Sequence, residues 1–219
     1  MTDVRDTPTV HLVEDDPQVA KALARLLREH GFRTDVHESA EQFLAQVRAA
    51  APGCLVLDVN LPGLDGLALQ RRLAEHGLSL PIIFLTGHGD IPMSVQAVKA
   101  GAVDFLTKPV RSEVLLAAVR AGLAQDARMR DALAESAALR QRHAGLTARE
   151  REVLAGLVAG KLNKQIAADM GIVEPTVKFH RARIMERMQA RTIAELMHQV
   201  ARLELAPDAR PAVPPDGTT

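Results

Sequence analysis

Short apolar runs that each end in a polar side chain restrict the fold of this chain more than any other feature. The first half has four such runs, and these polar residues follow them: Glu14 and Asp15 after residues 9–13, Asp58 after 55–57, Thr86 after 82–85, and Lys108 after 103–107. Apolar runs that alternate with helical patterns predict a parallel α/β sheet, whose strands end at a shared edge. We therefore expect three carboxylates, one hydroxyl group and one ammonium group to converge there.

The predicted group of three carboxylates indicates a bound cation. Two carboxylates ~4 Å apart repel each other by about 4 kcal/mol at an effective dielectric constant of about 20. Selection for stability alone would not produce such a cluster. A divalent cation with Lys108 beside it explains the arrangement better.

Helical patterns separate the apolar runs. Residues 17–28 carry apolar side chains at helical spacing, and a capping box at Ser39–Gln42 opens a second helix. Further helices can begin at residues 90–92 and at Ser112. Five strand–helix units with right-handed crossovers predict a doubly wound, five-stranded parallel (βα)5 domain over residues 1–124. His11 and Cys54, the only cysteine, are expected in its core.

Residues 145–206 have the pattern of a small all-α domain with four helices. A capping box at Thr147–Glu150 opens the first helix, and residues 164–170 and 175–188 form two more around a turn at Gly171. Thr192 caps the fourth. Two helices joined by a turn that contains glycine match the helix-turn-helix motif.

Two segments outside these domains have their own composition. Residues 125–144 are charged, rich in alanine and free of Gly and Pro, which predicts a helical linker. Apolar residues repeat through residue 123 like a coiled-coil seam, but Arg130 interrupts the repeat, so an exposed connecting helix is favoured over a sustained coiled coil. Residues 207–219 contain four prolines and are expected to form a disordered tail.

The charge of the chain is unevenly divided, although its formal net charge is zero. Residues 1–124 contain 12 Lys and Arg against 15 Asp and Glu, whereas residues 145–206 contain 10 against 7. An acidic half joined to a basic half predicts a nucleic-acid partner for the second half. With neither a signal-peptide pattern nor a run of about 18 apolar residues, we expect a cytoplasmic protein that does not enter a membrane.

The polar residues of the predicted sheet edge resemble, in order and type, the site of a two-component response regulator. The resemblance covers residues 8–124 as a receiver domain, and residues 85–90 and 100–105 are similar to the FixJ subgroup. It implies one Mg²⁺ ion and these roles: metal binding by Glu14, Asp15, Asp58 and the backbone carbonyl of Asn60, phosphorylation of Asp58, and phosphoryl contacts from Thr86 and Lys108.

Three further receiver features follow from the resemblance. Phe105 stands where the family keeps a switching aromatic, although a plain core position explains it equally well. His88, two residues past Thr86, either tunes the lifetime of the phosphoryl group or, as we favour, is an ordinary loop residue. The family usually keeps the bond that corresponds to Lys108–Pro109 in the cis form.

Residues 145–205 resemble the LuxR-type DNA-binding domain of the NarL/FixJ family, through segments 146–154, 163–167 and 176–181. The resemblance places the helix at 175–188 in the major groove. It implies base contacts from Lys178, Phe179 and Ala182, and phosphate contacts from Lys164, Thr176 and His180, with Arg181 and Arg183 as weaker candidates.

Two positions depart from the LuxR pattern. Val173 stands where many relatives have a capping Ser or Thr, so the recognition helix is expected to start less firmly. Ala182 cannot donate a hydrogen bond, so base readout would depend on Lys178, Phe179 and a thymine methyl group.

These features predict a phosphorylation-controlled transcription factor that is not an enzyme. A histidine kinase would phosphorylate Asp58, the receivers would form a homodimer, and the dimer would bind a pseudo-palindromic site on double-stranded DNA, with RNA polymerase as a further partner. An aspartyl-phosphate phosphatase is one alternative, but that class has a second acid where this chain has Asn60. A receiver that dimerises without phosphorylation and a ligand-sensing LuxR regulator are the others. The intact receiver site and the acidic first half argue against them.

Overall fold

The computed structural model describes residues 7–47, 51–87 and 101–205. The chain divides into two compact units between Asp131 and Ala132. His88, the helix start predicted at residues 90–92 and the tail at 207–219 lie outside the described residues. None of the described helices is long and apolar enough to cross a bilayer.

A five-stranded parallel sheet forms the centre of the first unit and confirms the predicted fold. The strand order is β2-β1-β3-β4-β5, and every neighbouring pair is parallel. The strands are β1 Thr9–Val13, β2 Arg33–His37, β3 Gly53–Asp58, β4 Ile82–Thr86 and β5 Asp104–Thr107. The strand order reverses at β1, so the carboxyl ends of β1 and β3 border the crevice that doubly wound sheets use for binding.

The helices of the first unit begin where the sequence provides capping side chains. The capped helices are α1 Pro17–Glu29, α2 Ala40–Gln46 and α3 Gly66–Glu75. The long α4 Ser112–Ala144 begins in the first unit and ends in the second. Ser39 Oγ caps α2 by accepting a hydrogen bond from Gln42 N–H. The predicted capping box at Ser39–Gln42 is wrong in one respect, because Gln42 Oε1 accepts from Glu38 N–H at 2.7 Å. The carbonyl oxygen thus satisfies a donor one residue earlier than in the standard motif.

Alternation along the strands divides the apolar core between the two faces of the sheet. On one face, Leu12 and Val56 pack with Leu27 of α1 and Val119 of α4. On the other face, the apolar side chains that pack together are Leu55, Leu57, Phe43 of α2, Leu69 and Leu73 of α3, and Phe84. Cys54 is fully buried, as predicted.

A pair of buried histidines lies on the second face of the sheet. His11 Nδ1 and His37 Nε2 are 3.4 Å apart, and both rings contact Phe43 edge-on. The prediction that His11 is a core residue is confirmed. Burial lowers the pKa of both imidazoles, and at His37 the charge of His11 adds to the effect. Both rings therefore favour the neutral form more strongly than an exposed imidazole does.

Acidification should destabilise the first unit through this pair. The folded pKa values lie below the ordinary 6.5, so the unfolded chain binds more protons as the pH falls through that value, and stability is lost. Urea unfolding at about pH 7.5 and about pH 5 should show this loss of stability. Most carboxylates stay ionised over that range, so they contribute little to it. A variant with both His11→Leu and His37→Leu should lose less stability on acidification, whereas His30→Gln, at an exposed position, should behave like wild type. Equal stability of wild type at the two pH values would contradict the prediction.

The second unit is helical, as predicted. Its helices are α5 Ala148–Val158, α6 Asn163–Met170, α7 Glu174–Met188 and α8 Ile193–Leu205. Thr147 and Glu150 form the predicted capping box of α5. Gly171 adopts φ +64° between α6 and α7, a left-handed conformation that glycine takes without strain. Apolar side chains from these helices form one core, which includes Val153, Ile166, Val177, Ile184 and Leu196.

The predicted helical segment 125–144 is confirmed as helix, and it is the second part of α4. Both of its ends pack against other elements. Asp126 is buried in the first unit, and Leu139 belongs to the core of the second. Within the second unit, Arg202 of α8 forms two hydrogen bonds of 3.0 Å with Glu135. Residues 131–135 are all exposed.

Candidate functional site

Neighbouring strand ends bring the predicted acidic residues together. Glu14 directly follows β1, and Asp58 ends β3, its parallel neighbour. Glu14 is 1% exposed and Asp58 is 5% exposed, whereas Asp15 is exposed to solvent. Carboxylate oxygens of these three residues lie within 4.8 Å of one another. The structure therefore forms the cluster that the strand pattern predicted.

Lys108 connects two of these carboxylates. Its Nζ donates to Glu14 Oε1 at 2.8 Å and Oε2 at 2.6 Å, and to Asp58 Oδ2 at 2.6 Å. Burial opposes the charge on Lys108, but the hydrogen bonds to Asp58 and Glu14 outweigh it and raise the pKa of the amine. Burial also raises the pKa of Glu14, and Lys108 only partly offsets it. The Lys108–Pro109 bond is cis, in agreement with the resemblance.

The donor set of this cluster suits Mg²⁺. Hard divalent cations prefer oxygen ligands, and Mg²⁺ commonly binds through a few carboxylates and water. Three carboxylates facing one ammonium leave an excess of negative charge, and Asp15 is open to solvent on one side of the cluster. Glu14, Asp15 and Asp58 are therefore the residues that could hold the ion, as the resemblance to a receiver domain implies.

The other predicted site residues, Thr86, Asn60 and Phe105, lie in different environments. The side chain of Thr86 is buried at the end of β4, and its carbonyl accepts a hydrogen bond of 2.7 Å from Lys108 N–H. Asn60 is exposed, and its N–H donates to Asp58 Oδ1 at 2.9 Å. Phe105 is half-buried, with its ring 6.1 Å from that of Phe84. The metal role of the Asn60 carbonyl and the switch role of Phe105 stay predictions.

The predicted DNA-contacting residues lie on α6 and α7 of the second unit. Along α7, Lys178, Phe179, Ala182 and Arg183 are exposed, and Thr176 and His180 are half-exposed. Lys164 is exposed on α6. Val173 precedes α7 without a capping side-chain hydrogen bond, as expected from the missing Ser or Thr.

Two contacts that the sequence analysis missed hold the C-terminal end of α7. Arg187 donates a hydrogen bond of 2.7 Å to the carbonyl of Gly145. The same guanidinium lies 3.4 Å from Glu150 Oε1. Glu150 is nearly fully buried and also completes the capping box of α5. Because its partners are far apart in sequence, this connection leaves no local pattern.

Two domain families match the two halves of this chain. Residues 10–120 match the response regulator receiver domain, and residues 144–200 match the luxR family of bacterial regulatory proteins. The chain is a response regulator of the NarL/FixJ family. As a receiver joined to a LuxR-type DNA-binding domain, this response regulator is a phosphorylation-dependent regulator of transcription, and a histidine kinase and DNA are its partners.

Named relatives are similar to this response regulator over most of their length. TodT, a response regulator protein of Pseudomonas putida, is 44% identical over 195 residues, which span 89% of this chain and 86% of TodT. The transcriptional regulatory protein FixJ of Rhizobium meliloti is 40% identical over 189 residues, or 86% of this chain and 93% of FixJ.

Solved structures give the same assignment. The response regulator StyR has a TM-score of 0.80 and 44% identity, over 90% of this chain and 99% of StyR. Full-length FixJ from B. japonicum has a TM-score of 0.56 and 35% identity, over 92% of this chain and 99% of FixJ.

Proposed function

We propose that this response regulator accepts a phosphoryl group on Asp58 and then binds, as a homodimer, a pseudo-palindromic site on double-stranded DNA. One observation carries the proposal. The carboxylate of Asp58 ends a buried strand, with the Lys108 ammonium 2.6 Å away and oxygens of Glu14 and Asp15 within 4.8 Å. A nucleophile, a cationic partner and a metal-binding set are thus present in one place. RNA polymerase is a further proposed partner, and the cytoplasm is the proposed location.

Each residue of the site has a part in the transfer. An oxygen of Asp58 forms the new O–P bond while the P–N bond of the kinase phosphohistidine breaks, and the histidine leaves. Lys108, already bonded to Asp58, pairs with the phosphoryl oxygens. Glu14, Asp15 and Asp58, with the backbone carbonyl of Asn60, would hold Mg²⁺. The ion supplies positive charge that offsets repulsion between the carboxylates and the incoming phosphate.

The switch requires about as much free energy as two phosphoryl contacts can supply at most. Moving a population from about 1:99 to about 99:1 takes about 5.5 kcal/mol of differential stabilisation. One charge-assisted hydrogen bond contributes about 1.5–3 kcal/mol. Contacts from Thr86 and Lys108 therefore fall short or only just suffice, and we propose that pairing of receivers and binding of DNA add the remainder.

An enzymatic role is the weaker candidate. A phosphatase that uses an aspartyl phosphate would need a second acid near Asp58 to protonate its leaving group. The residue two positions later is Asn60, whose amide cannot serve as that acid. We therefore propose that this protein turns over no external substrate, and steady release of phosphate from monoesters would contradict this.

Thr86→Ala should separate phosphorylation from dimerisation. The variant should still accept phosphate on Asp58, because its nucleophile and acidic residues are unchanged. It should dimerise at least about tenfold more weakly, because a charge-assisted hydrogen bond of about 1.5–3 kcal/mol is lost. Light scattering of the phosphorylated proteins measures this. Thr107→Ala, at the exposed position paired with Thr86 in the sheet, is the matched control and should dimerise like wild type. Wild-type dimerisation of Thr86→Ala would contradict the coupling.

A salt titration tests the control of DNA binding. Each phosphate that the protein neutralises contributes about −0.9 to the slope of log affinity against log salt. Residues 145–206 carry a net charge of only +3, so one domain should bind weakly. Two linked DNA-binding domains should roughly double the slope, and binding of the first domain should raise the local concentration of the second. Phosphorylated protein should therefore bind a two-half-site duplex more tightly and with a steeper slope. Identical affinities and slopes for both forms would contradict receiver control.

A further inference from the structure

We propose that Phe179 recognises the 5-methyl group of thymine in the major groove, and that this apolar contact selects the operator. The inference rests on the proposed DNA-binding function and names the chemical group that the recognition helix reads. Three observations on α7 support it: the exposure of the ring, the engagement of the neighbouring cations, and the apolar residues beside it.

Phe179 is largely exposed to solvent, unlike the other phenylalanines of the chain. The chain has five phenylalanines, and four of them are buried or packed against the core of the first unit. Phe179 is 57% exposed. An exposed aromatic side chain normally serves an interface, because leaving it in water forgoes the favourable free energy of burial.

The cations next to Phe179 are engaged by carboxylates of the same helix. Lys178 Nζ lies 3.1 Å from Glu174 Oε1, and Arg183 Nη1 lies 2.9 Å from Glu186 Oε2. The Arg183 guanidinium also lies 5.6 Å from the centre of the Phe179 ring. These surface pairs are weak and can open on DNA, and in the free protein they reduce the positive charge beside the ring.

Two apolar residues lie one turn from the ring of Phe179. Pro175 and Ala182 are exposed one turn before and one turn after Phe179 on the same face of α7. The ring of His180 meets that of Phe179 edge-on at 5.7 Å. Apolar residues thus adjoin the ring along the helix in both directions, while Thr176 and Arg183 place polar groups on the neighbouring turns.

Major-groove chemistry restricts what such a face can read. Guanine, cytosine and adenine present hydrogen-bond donors and acceptors there, whereas thymine adds a methyl group at C5. A phenyl ring cannot bond to the polar atoms without leaving them unsatisfied, which costs free energy. Contact with the thymine methyl buries apolar surface on both sides. Phe179 should therefore favour a T·A pair over a C·G pair at the position that it faces.

Removing single methyl groups from DNA tests the inference directly. The phosphorylated full-length protein first selects its preferred duplex from a random pool, and each thymine is then replaced by deoxyuracil. Fluorescence anisotropy should find one thymine per half-site whose replacement weakens binding about 4-fold. This factor is equivalent to about 0.8 kcal/mol, the value for burying one methyl group. Replacement in both half-sites should weaken binding about 15-fold, since separate sites are roughly additive.

Protein variants assign the methyl contact to the ring. The Phe179→Ala variant should bind the duplex with thymine at the sensitive position and the duplex with deoxyuracil there equally tightly. Phe179→Leu, which keeps an apolar side chain, should retain part of the difference. Lys164→Ala should weaken binding to all duplexes and keep the 4-fold ratio. Where cytosine replaces the sensitive thymine, 5-methylation of that cytosine should recover about 4-fold in affinity for wild type and none for Phe179→Ala.

Each remaining outcome counts against the inference. If deoxyuracil binds as tightly as thymine at every position of a selected duplex, the methyl contact is overturned and the DNA-binding function stands. The methyl contact is also overturned if Phe179→Ala keeps the wild-type ratio of affinities for the thymine and deoxyuracil duplexes. It is overturned as well if the only defect of this variant is weaker dimerisation in light scattering. If no duplex is selected at all, the proposed function fails as well.

Discussion

Replacing Asp58 with alanine should abolish phosphorylation of this response regulator. Asp58 Oδ2 accepts from Lys108 at 2.6 Å and Oδ1 accepts from Asn60 N–H at 2.9 Å, so both oxygens are held at the edge of the sheet. Alanine has no nucleophile at that point. Glu14 is buried and bonded twice to Lys108, which leaves it poorly placed to accept the group instead. Incubation with acetyl phosphate and Mg²⁺, followed by intact-protein mass measurement, should show labelling of wild type only.

Asp16→Ala is the matched control for Asp58→Ala. Asp16 adjoins the acidic pair in sequence, but its side chain caps α1 by accepting from Gln18 and Val19 N–H. The variant should lose about 1 kcal/mol of stability and still be labelled. Equal labelling of Asp58→Ala and wild type would falsify the assignment. Labelling of Asp58→Ala on another carboxylate, found by peptide mapping, would also contradict a single site.

Removal of Mg²⁺ should have the same effect on wild type as the loss of Asp58. Three clustered carboxylates face one ammonium at this edge, and their excess negative charge repels an incoming phosphate. Labelling should therefore stop on addition of a chelator and return when Mg²⁺ is restored. Undiminished labelling in the presence of the chelator would show that the acidic cluster has another role.

Replacing Asp126 with alanine should destabilise the first unit by about 1–3 kcal/mol, because it leaves the buried N–H group of Gly53 without its acceptor. Asp126 is 3% exposed. Its Oδ2 accepts a hydrogen bond of 2.9 Å from Gly53 N–H and one of 2.7 Å from Arg130 Nε. Arg130 also donates to the carbonyl of Ala51. The network thus fastens α4 to the start of β3.

The close packing at this point leaves little room for relaxation. The backbone of Gly53 packs so closely against Thr9 that a Cβ atom there would collide with the Thr9 carbonyl oxygen, so β3 cannot move closer to β1 to give the Gly53 N–H group a new acceptor. Urea unfolding should show the loss of stability. Hydrogen exchange of peptides covering β3 should show reduced protection in the same variant.

Asp131→Ala is the control for the Asp126 prediction. Asp131 lies on the same helix but is exposed, so its replacement should change stability by less than about 0.5 kcal/mol. If Asp126→Ala unfolds at the same urea concentration as Asp131→Ala, the network contributes nothing to the stability of the receiver. Unchanged protection of β3 would lead to the same conclusion.

The amino-acid sequence by itself determined the sheet and the place of its acidic site. Strand runs and helical spacing are periodic signals that a few adjacent residues carry, and parallel strands must end at one edge. Glu14, Asp58 and Thr86 could therefore be placed together from strand ends alone. The capping box at Thr147 and the turn at Gly171 are equally local, because their hydrogen bonds join residues within one helical turn.

Only the tertiary structure decided which groups the side chains of the site and of the receiver core bind. Lys108 could have paired with any acid at the sheet edge, and packing of the strands gave it both Glu14 and Asp58. The bond from Gly53 to Asp126 spans 73 residues, and no local pattern encodes it. The exposure of Phe179 likewise depended on which face of α7 the other helices covered. Local hydrogen bonding and periodicity fix the elements, whereas contacts between distant residues depend on how those elements pack against one another.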